Sequence, residues 1–142
     1  LEELTGQEFP YVYVRETRKI GGHKEHITGD RNNPLIKKMD NALVFEELVN
    51  FAETTTNLAK VLREAGYYAP VAGTILSYQN PRAQELLKQT EVELTHLIGL
   101  PDLIDVAEST GRFSKEAVKS YRDFLVDPVK WQLDRSYELP KK

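Results

Sequence analysis

Two adjacent acids, Glu46 and Glu47, follow the apolar run Ala42–Phe45 and precede two further apolar residues, Leu48 and Val49. A polar turn comes next, and then a helical pattern, Asn57-Leu-Ala-Lys-Val-Leu-Arg-Glu-Ala-Gly66. This order predicts a buried strand, a turn at its carboxyl end, and a helix whose N-terminus faces that turn. In open α/β sheets ligands bind in that crevice, and a helix N-terminus there attracts anions. Thr54, Thr55 and Thr56 place hydroxyl donors at the helix start. A second constellation is cationic: Arg15, Arg18, Lys19 and Lys24, with His23, follow the alternating stretch Tyr11-Val-Tyr-Val14. Taken alone, two acids at a strand end are solvated or cap a neighbouring helix, and a basic stretch is a solvated loop. His23 and His26 stand three apart without a carboxylate or Cys framework, so no metal site is expected there.

The elements that must position these groups can be taken in order. Leu1–Gly6 has the form of a last helical turn closed by glycine. Pro10–Arg15 alternates Tyr and Val, which is strand chemistry. Glu16–Asn33 is polar and aperiodic, so a long loop is expected. Pro34–Asp40 fits either a short edge strand or a turn. Strands are predicted near 11–15, 42–48, 69–76 and 92–97, with Pro70 unfavourable at the start of the third. The helix after Thr54 should pack through Leu58, Val61 and Leu62. Pro81 suits a helix N1 position before Arg82–Gln89, Pro101 a first turn, and Ser114 a cap with Glu116 behind it. Asp127-Pro128 breaks that last helix, and a short one carrying the single Trp follows. Alternating strand and helix give an α/β class with a mainly parallel sheet flanked by helices.

Composition bounds the function. A length of 142 residues allows one domain with a real core. A net charge of −3 argues against nucleic-acid binding, and no apolar run approaches a membrane span. Zero cysteines exclude disulfide and thiol chemistry and fit a reducing, cytoplasmic setting. The start at Leu1 rather than Met predicts trimming or an upstream part.

The stretch Ala42–Thr56 resembles the phosphoribosyl-pyrophosphate (PRPP) motif of type I phosphoribosyltransferases: four apolar residues, two acids, two apolar residues, then a small-residue loop. Tyr11–Lys19 with Gly21-Gly22-His23 is similar to the strand and basic loop of the orotate phosphoribosyltransferase group. Leu62-Arg-Glu-Ala-Gly-Tyr67 is similar to the helix end after their PRPP loop. The resemblance implies a phosphoribosyltransferase-like core over residues 1–113, lacking the N-terminal hood, first core strand and pyrophosphate loop expected upstream. A C-terminal helical extension, 114–142, would pack on the same domain.

The resemblance also implies roles. Glu46 and Glu47 would contact the ribose hydroxyls of PRPP and stabilise charge developing on the ribose carbon. Asn50, Ala52, Thr54 and Thr55 would cradle the 5′-phosphate. Lys19, with Arg15, Arg18 and His23, would close over the pyrophosphate across a dimer interface. Mg²⁺ would arrive with PRPP rather than in a dedicated protein site. The implied reaction moves ribose 5-phosphate from PRPP to a pyrimidine base, within a homodimer or larger assembly.

Several positions depart from the family pattern, among them Glu16, which stands in the basic loop where a basic residue is often found, and Ser77, which with Tyr78 replaces an Asp-Arg pair. Glu47 stands where Asp is usual, Phe51 is bulky, and Glu53 puts a carboxylate where glycine normally admits a dianion. Glu53 either repels the phosphate or complements the helix N-terminus. Tyr78 replaces the arginine that grips the carboxylate of orotate, leaving base stacking or a rim aromatic as its role. A catalytically degenerate protein of the same fold, with a binding, regulatory or architectural role, is the alternative.

Overall fold

The computed structural model describes residues 2–15, 27–29 and 33–137. A short helix, α1 (Glu2–Thr5), leads to a two-stranded antiparallel ribbon of β1 (Tyr13–Val14) and β2 (Ile27–Thr28). The main sheet is parallel, in the order β3 (Asn41–Val49), β4 (Tyr68–Ser77), β5 (Glu93–Gly99). Helices α2 (Glu53–Glu64) and α3 (Pro81–Gln89) connect these strands. After β5 come α4 (Leu100–Ser109), α5 (Lys115–Val126) and α6 (Pro128–Leu133). Among the described residues no helix is long and apolar enough to cross a membrane.

The main strands match the sequence pattern to within two residues, and two local expectations change. The first strand is confined to Tyr13–Val14 and pairs with Ile27–Thr28, so it stands outside the parallel sheet. Part of the stretch read as loop is therefore a strand, held because Ile27 buries its side chain in the core. Pro34–Asp40 resolves into turns, with Ile36 N–H donating to Asn33 O and Asp40 N–H to Lys37 O. Pro70 is accommodated at a register shift where Asn41 pairs with Tyr68 but Leu43 with Val71. A residue without an N–H is tolerated at such a bulge.

Small residues set how closely helix and sheet approach. Ala59 on α2 and Ala69 and Ala72 on β4 are fully buried, and Val44, Leu62, Ala83 and Leu87 complete the contact. Leu58 and Val61 pack half-buried at its edge. Alternation along β3 thus turns Ala42, Val44 and Glu46 toward α2 and leaves Leu43, Phe45 and Glu47 exposed on the opposite face.

The end of α2 is fixed by its sequence. Gly66 has φ +91°, Tyr67 N–H donates to Leu62 O, and Gly66 N–H donates to Arg63 O. This pair of bonds is a Schellman motif, which needs the left-handed residue that glycine supplies. Arg63 then clamps the far ends of the strands, donating to Thr90 O at 2.6 Å, Ala69 O at 2.8 Å and Glu91 O at 2.9 Å.

The last three helices stack on one another. Ser114 caps α5 by accepting from Ala117 N–H at 3.1 Å. Glu116 is held below the usual carboxylate range by its backbone hydrogen bond and by Ser114. Arg122 ties α5 to α4 through Asp105 at 2.8 Å and Glu108 at 2.6 Å. An edge-to-face run from Tyr78 through Phe124 to Trp131 joins α5 and α6 to the end of β4.

Candidate functional site

Strand β3 ends at Val49, and the chain turns through Asn50-Phe51-Ala52 into α2. Ala52 adopts a left-handed conformation, φ 60° and ψ 15°, with its side chain buried. A non-glycine residue there costs on the order of 1–2 kcal/mol, offset here by the buried methyl. Thr56 secures the turn from behind, its hydroxyl donating to Ala52 O at 2.8 Å. The N-cap residue of α2, Ala52, provides no side-chain cap. The first-turn N–H groups of α2 lie at the positive end of the helix dipole.

A neighbouring helix start braces the turn. Asn80, fully buried, caps α3 by accepting from Ala83 N–H at 2.8 Å. Its amide donates to Asn50 O and, at 3.0 Å, to Asn50 Oδ1. Tyr78 N–H donates to Val49 O at 2.9 Å, closing the ends of β3 and β4 together. One residue, Asn80, thus fixes both the α3 start and the shape of the loop before α2.

Arg82, in the first turn of α3, adds a cation. Its Nη2 donates to Glu53 Oε1 at 3.1 Å, and its guanidinium lies over the Phe51 ring at 5.4 Å. Both side chains of the ion pair are more than half exposed, at 53% and 64%, so the pair itself contributes little stability. Its importance is placement: Glu53 complements the α2 N-terminus and is partly neutralised by Arg82.

The acid pair does not converge. Because β3 continues to Val49, Glu46 and Glu47 project to opposite faces of the sheet. Glu46 is half-buried on the α2 face, in register with Thr74 and His96. Glu47 is exposed on the other face. Gln79, at φ 54°, joins this polar row through a 2.7 Å contact between its Nε2 and His96 Nε2. Its side chain also explains Gly99: a Cβ there would meet Gln79 Nε2 at 2.9 Å and Asp102 Oδ2 at 2.7 Å.

The remaining sequence candidates fall into three groups. Thr54 is exposed at the helix mouth, whereas Thr55 is buried with no hydrogen-bond partner for its hydroxyl among the described residues. Tyr78 stacks edge-to-face on Phe124, with ring centroids 5.9 Å apart, and lines an apolar groove of about 570 Å³ with Leu103, Phe113 and Trp131. Arg15 lies over the Tyr13 ring at 5.3 Å. Arg18, Lys19, His23, Lys24 and His26 lie outside the described residues. Among the described residues no group of three or more His, Asp or Glu could hold a metal.

Sequence reasoning missed Asn80 and Arg82. The signal was present for the first: Asn directly before Pro81 at N1 is an N-cap signature.

The chain is similar in sequence and fold to known proteins. An orotate phosphoribosyltransferase of Bacteroides thetaiotaomicron is 30% identical over 124 residues, covering 86% of this chain and 55% of that protein. One from Staphylococcus saprophyticus is 32% identical over 117 residues, covering 81% and 54%. The UMP synthase of Leishmania donovani superposes with a TM-score of 0.64 at 20% identity, covering 87% of this chain and 25% of that one. The chain has a type I phosphoribosyltransferase fold, related to the orotate phosphoribosyltransferases. No protein-family profile matches it. The chain spans about half the length of the curated relatives it matches. Within this phosphoribosyltransferase fold, Asn50–Thr54 takes the strand–turn–helix position that its sequence resemblance implied.

Proposed function

We propose that the chain is an orotate phosphoribosyltransferase-like domain that holds PRPP and transfers its ribose 5-phosphate to a pyrimidine base. The observation that carries this reading is the N-terminus of α2 at the end of β3, behind the Asn50–Ala52 turn, where the N-cap Ala52 provides no side-chain cap. The first-turn N–H groups of α2 and the Thr54 hydroxyl would take the 5′-phosphate, with Arg82 at hand when it leaves Glu53. Glu46, on the same face of the sheet as α2, would face the ribose and stabilise positive charge at its reacting carbon. Mg²⁺ bound with PRPP would neutralise the leaving pyrophosphate. Lys19, Arg18 and His23 would supply further cations to it from a neighbouring subunit. The extension at 114–142 would belong to the same domain, through the Tyr78–Phe124 contact.

A second reading has its own support. Glu53 in the first turn of α2 and Tyr78 locked against Phe124 fit a degenerate member of the fold, with a binding, regulatory or architectural role. The Tyr78 phenol cannot replace a guanidinium for a carboxylate, so a neutral base is the expected acceptor. An assay of base consumption with PRPP and Mg²⁺ separates the readings. Turnover is expected with uracil and not with orotate. Absence of turnover with any pyrimidine base would leave the degenerate reading.

A further inference from the structure

Two local features hold one side chain at the carboxyl ends of the strands. Gln79, in the turn between β4 and α3, has φ 54°, a left-handed conformation that is strained for a residue with a Cβ. Gly99, at the end of β5, has an ordinary φ of −89° and ψ of 139°, so its backbone has no need of glycine. Space is what requires it: a Cβ there would lie 2.9 Å from Gln79 Nε2 and 2.7 Å from Asp102 Oδ2. Backbone strain at one residue and a missing Cβ at another thus serve the same carboxamide.

That carboxamide meets His96, with Gln79 Nε2 and His96 Nε2 2.7 Å apart. An amide nitrogen only donates, so the imidazole nitrogen accepts and the ring proton sits on Nδ1. The turn is fixed on either side. Gln79 N–H donates to Oγ of the buried Ser77 at 3.2 Å. Tyr78 N–H donates to Val49 O and Asn80 binds Asn50, so both neighbours of Gln79 are tied to the turn before α2. His96 also shares its row with Glu46, two strand spacings away, or about 10 Å. With one amide hydrogen on His96, the second Nε2–H and Oε1 of Gln79 form an edge of one donor beside one acceptor.

We propose that Gln79 reads the imide edge of the acceptor base, a carbonyl beside a ring N–H as in uracil, and that His96 is a positioning residue that sets which way the carboxamide faces. The span between Glu46 and His96 takes the ribose carbon at one end and the six-membered base ring at the other. Gln79 Nε2–H donates to the base carbonyl, and Oε1 accepts from the ring N–H. Cytosine presents the reverse order, an exocyclic amine beside a bare ring nitrogen, and sets donor against donor and acceptor against acceptor. This base reader presupposes the PRPP site proposed above and names the class of base that the site takes.

Calorimetric titration of the 142-residue chain with ribose 5-phosphate, uridine 5′-monophosphate and cytidine 5′-monophosphate separates the two. Ribose 5-phosphate has no base and reports the phosphate loop alone. The wild type should bind the uridine nucleotide at least about tenfold more tightly than the cytidine nucleotide. Gln79→Ala should bring the two within about twofold. His96→Phe keeps a ring but no acceptor and should reduce the preference by about threefold to tenfold. Gly99→Ala should reduce it too, with ribose 5-phosphate binding and circular dichroism unchanged, because the atoms its Cβ meets are the ends of flexible side chains. Equal binding of the two nucleotides by the wild type, a preference for cytidine, or a preference that survives Gln79→Ala would overturn the base reader, while ribose 5-phosphate binding would still uphold the phosphate loop. Binding of none of the three ligands would overturn both.

Discussion

Glu46→Gln combined with Glu47→Gln should abolish phosphoribosyl transfer, with turnover falling by at least about a hundredfold. Carboxylates facing a developing positive charge act in the transition state, where loss of one preorganised group typically costs about 100–1,000-fold. The geometry also predicts unequal single variants. Glu46 is half-buried on the α2 face, beside Thr74 and His96, and should account for most of the loss. Glu47 projects from the opposite face into solvent, so Glu47→Gln alone should cost only a few-fold. Steady-state kinetics on the three variants, with circular dichroism as a folding control, gives the answer. Equal losses from the two single variants would show that β3 ends earlier when substrate is bound.

The second large effect is structural. Asn80→Ala should destabilise the domain by about 2–4 kcal/mol, the sum of a lost helix cap and of unmade hydrogen bonds to Asn50. In melting temperature that is roughly 10 °C for a domain of this size. The cost exceeds that of an ordinary cap because the Asn80 side chain is fully buried and serves two elements. Asn80→Asp should recover part of the loss, since it keeps the acceptor for Ala83 N–H but not the donor to Asn50. A thermal melt showing no change for Asn80→Ala would mean that the turn before α2 is held by Thr56 alone.

Much of this fold was legible because its signals are local. The Ala42–Val49 run, Gly66 behind a periodic helix, Pro81 at N1 and Ser114 before Lys115 each act through backbone chemistry of the nearest turn. What sequence could not give were contacts between distant residues. The pairing of Tyr13–Val14 with Ile27–Thr28 spans a polar stretch with no period to mark it. Arg82 meets Glu53 only because α2 and α3 lie on one face of the sheet. The acid pair shows the same limit from another side. Adjacent acids look like one site in a linear motif, yet a strand that continues past them sends them to opposite faces. Tyr78 could be recognised as a departure from the family pattern, but its contact with Phe124 depends on how α5 packs.

The central claim is that the Asn50–Ala52 turn and the N-terminus of α2 form a phosphate-binding loop. Calorimetric titration of PRPP with Mg²⁺ into the wild type and Glu53→Gly tests it most directly. Glu53 is largely exposed and paired with Arg82, so water and the guanidinium screen its charge. A like charge at about 4 Å in water costs only about 1 kcal/mol. The account therefore predicts saturable one-to-one binding in the wild type. Glu53→Gly should tighten it by about fivefold to tenfold, as Arg82 is released to the phosphate. No saturable heat in either protein would contradict the phosphate loop, and with it the transferase reading.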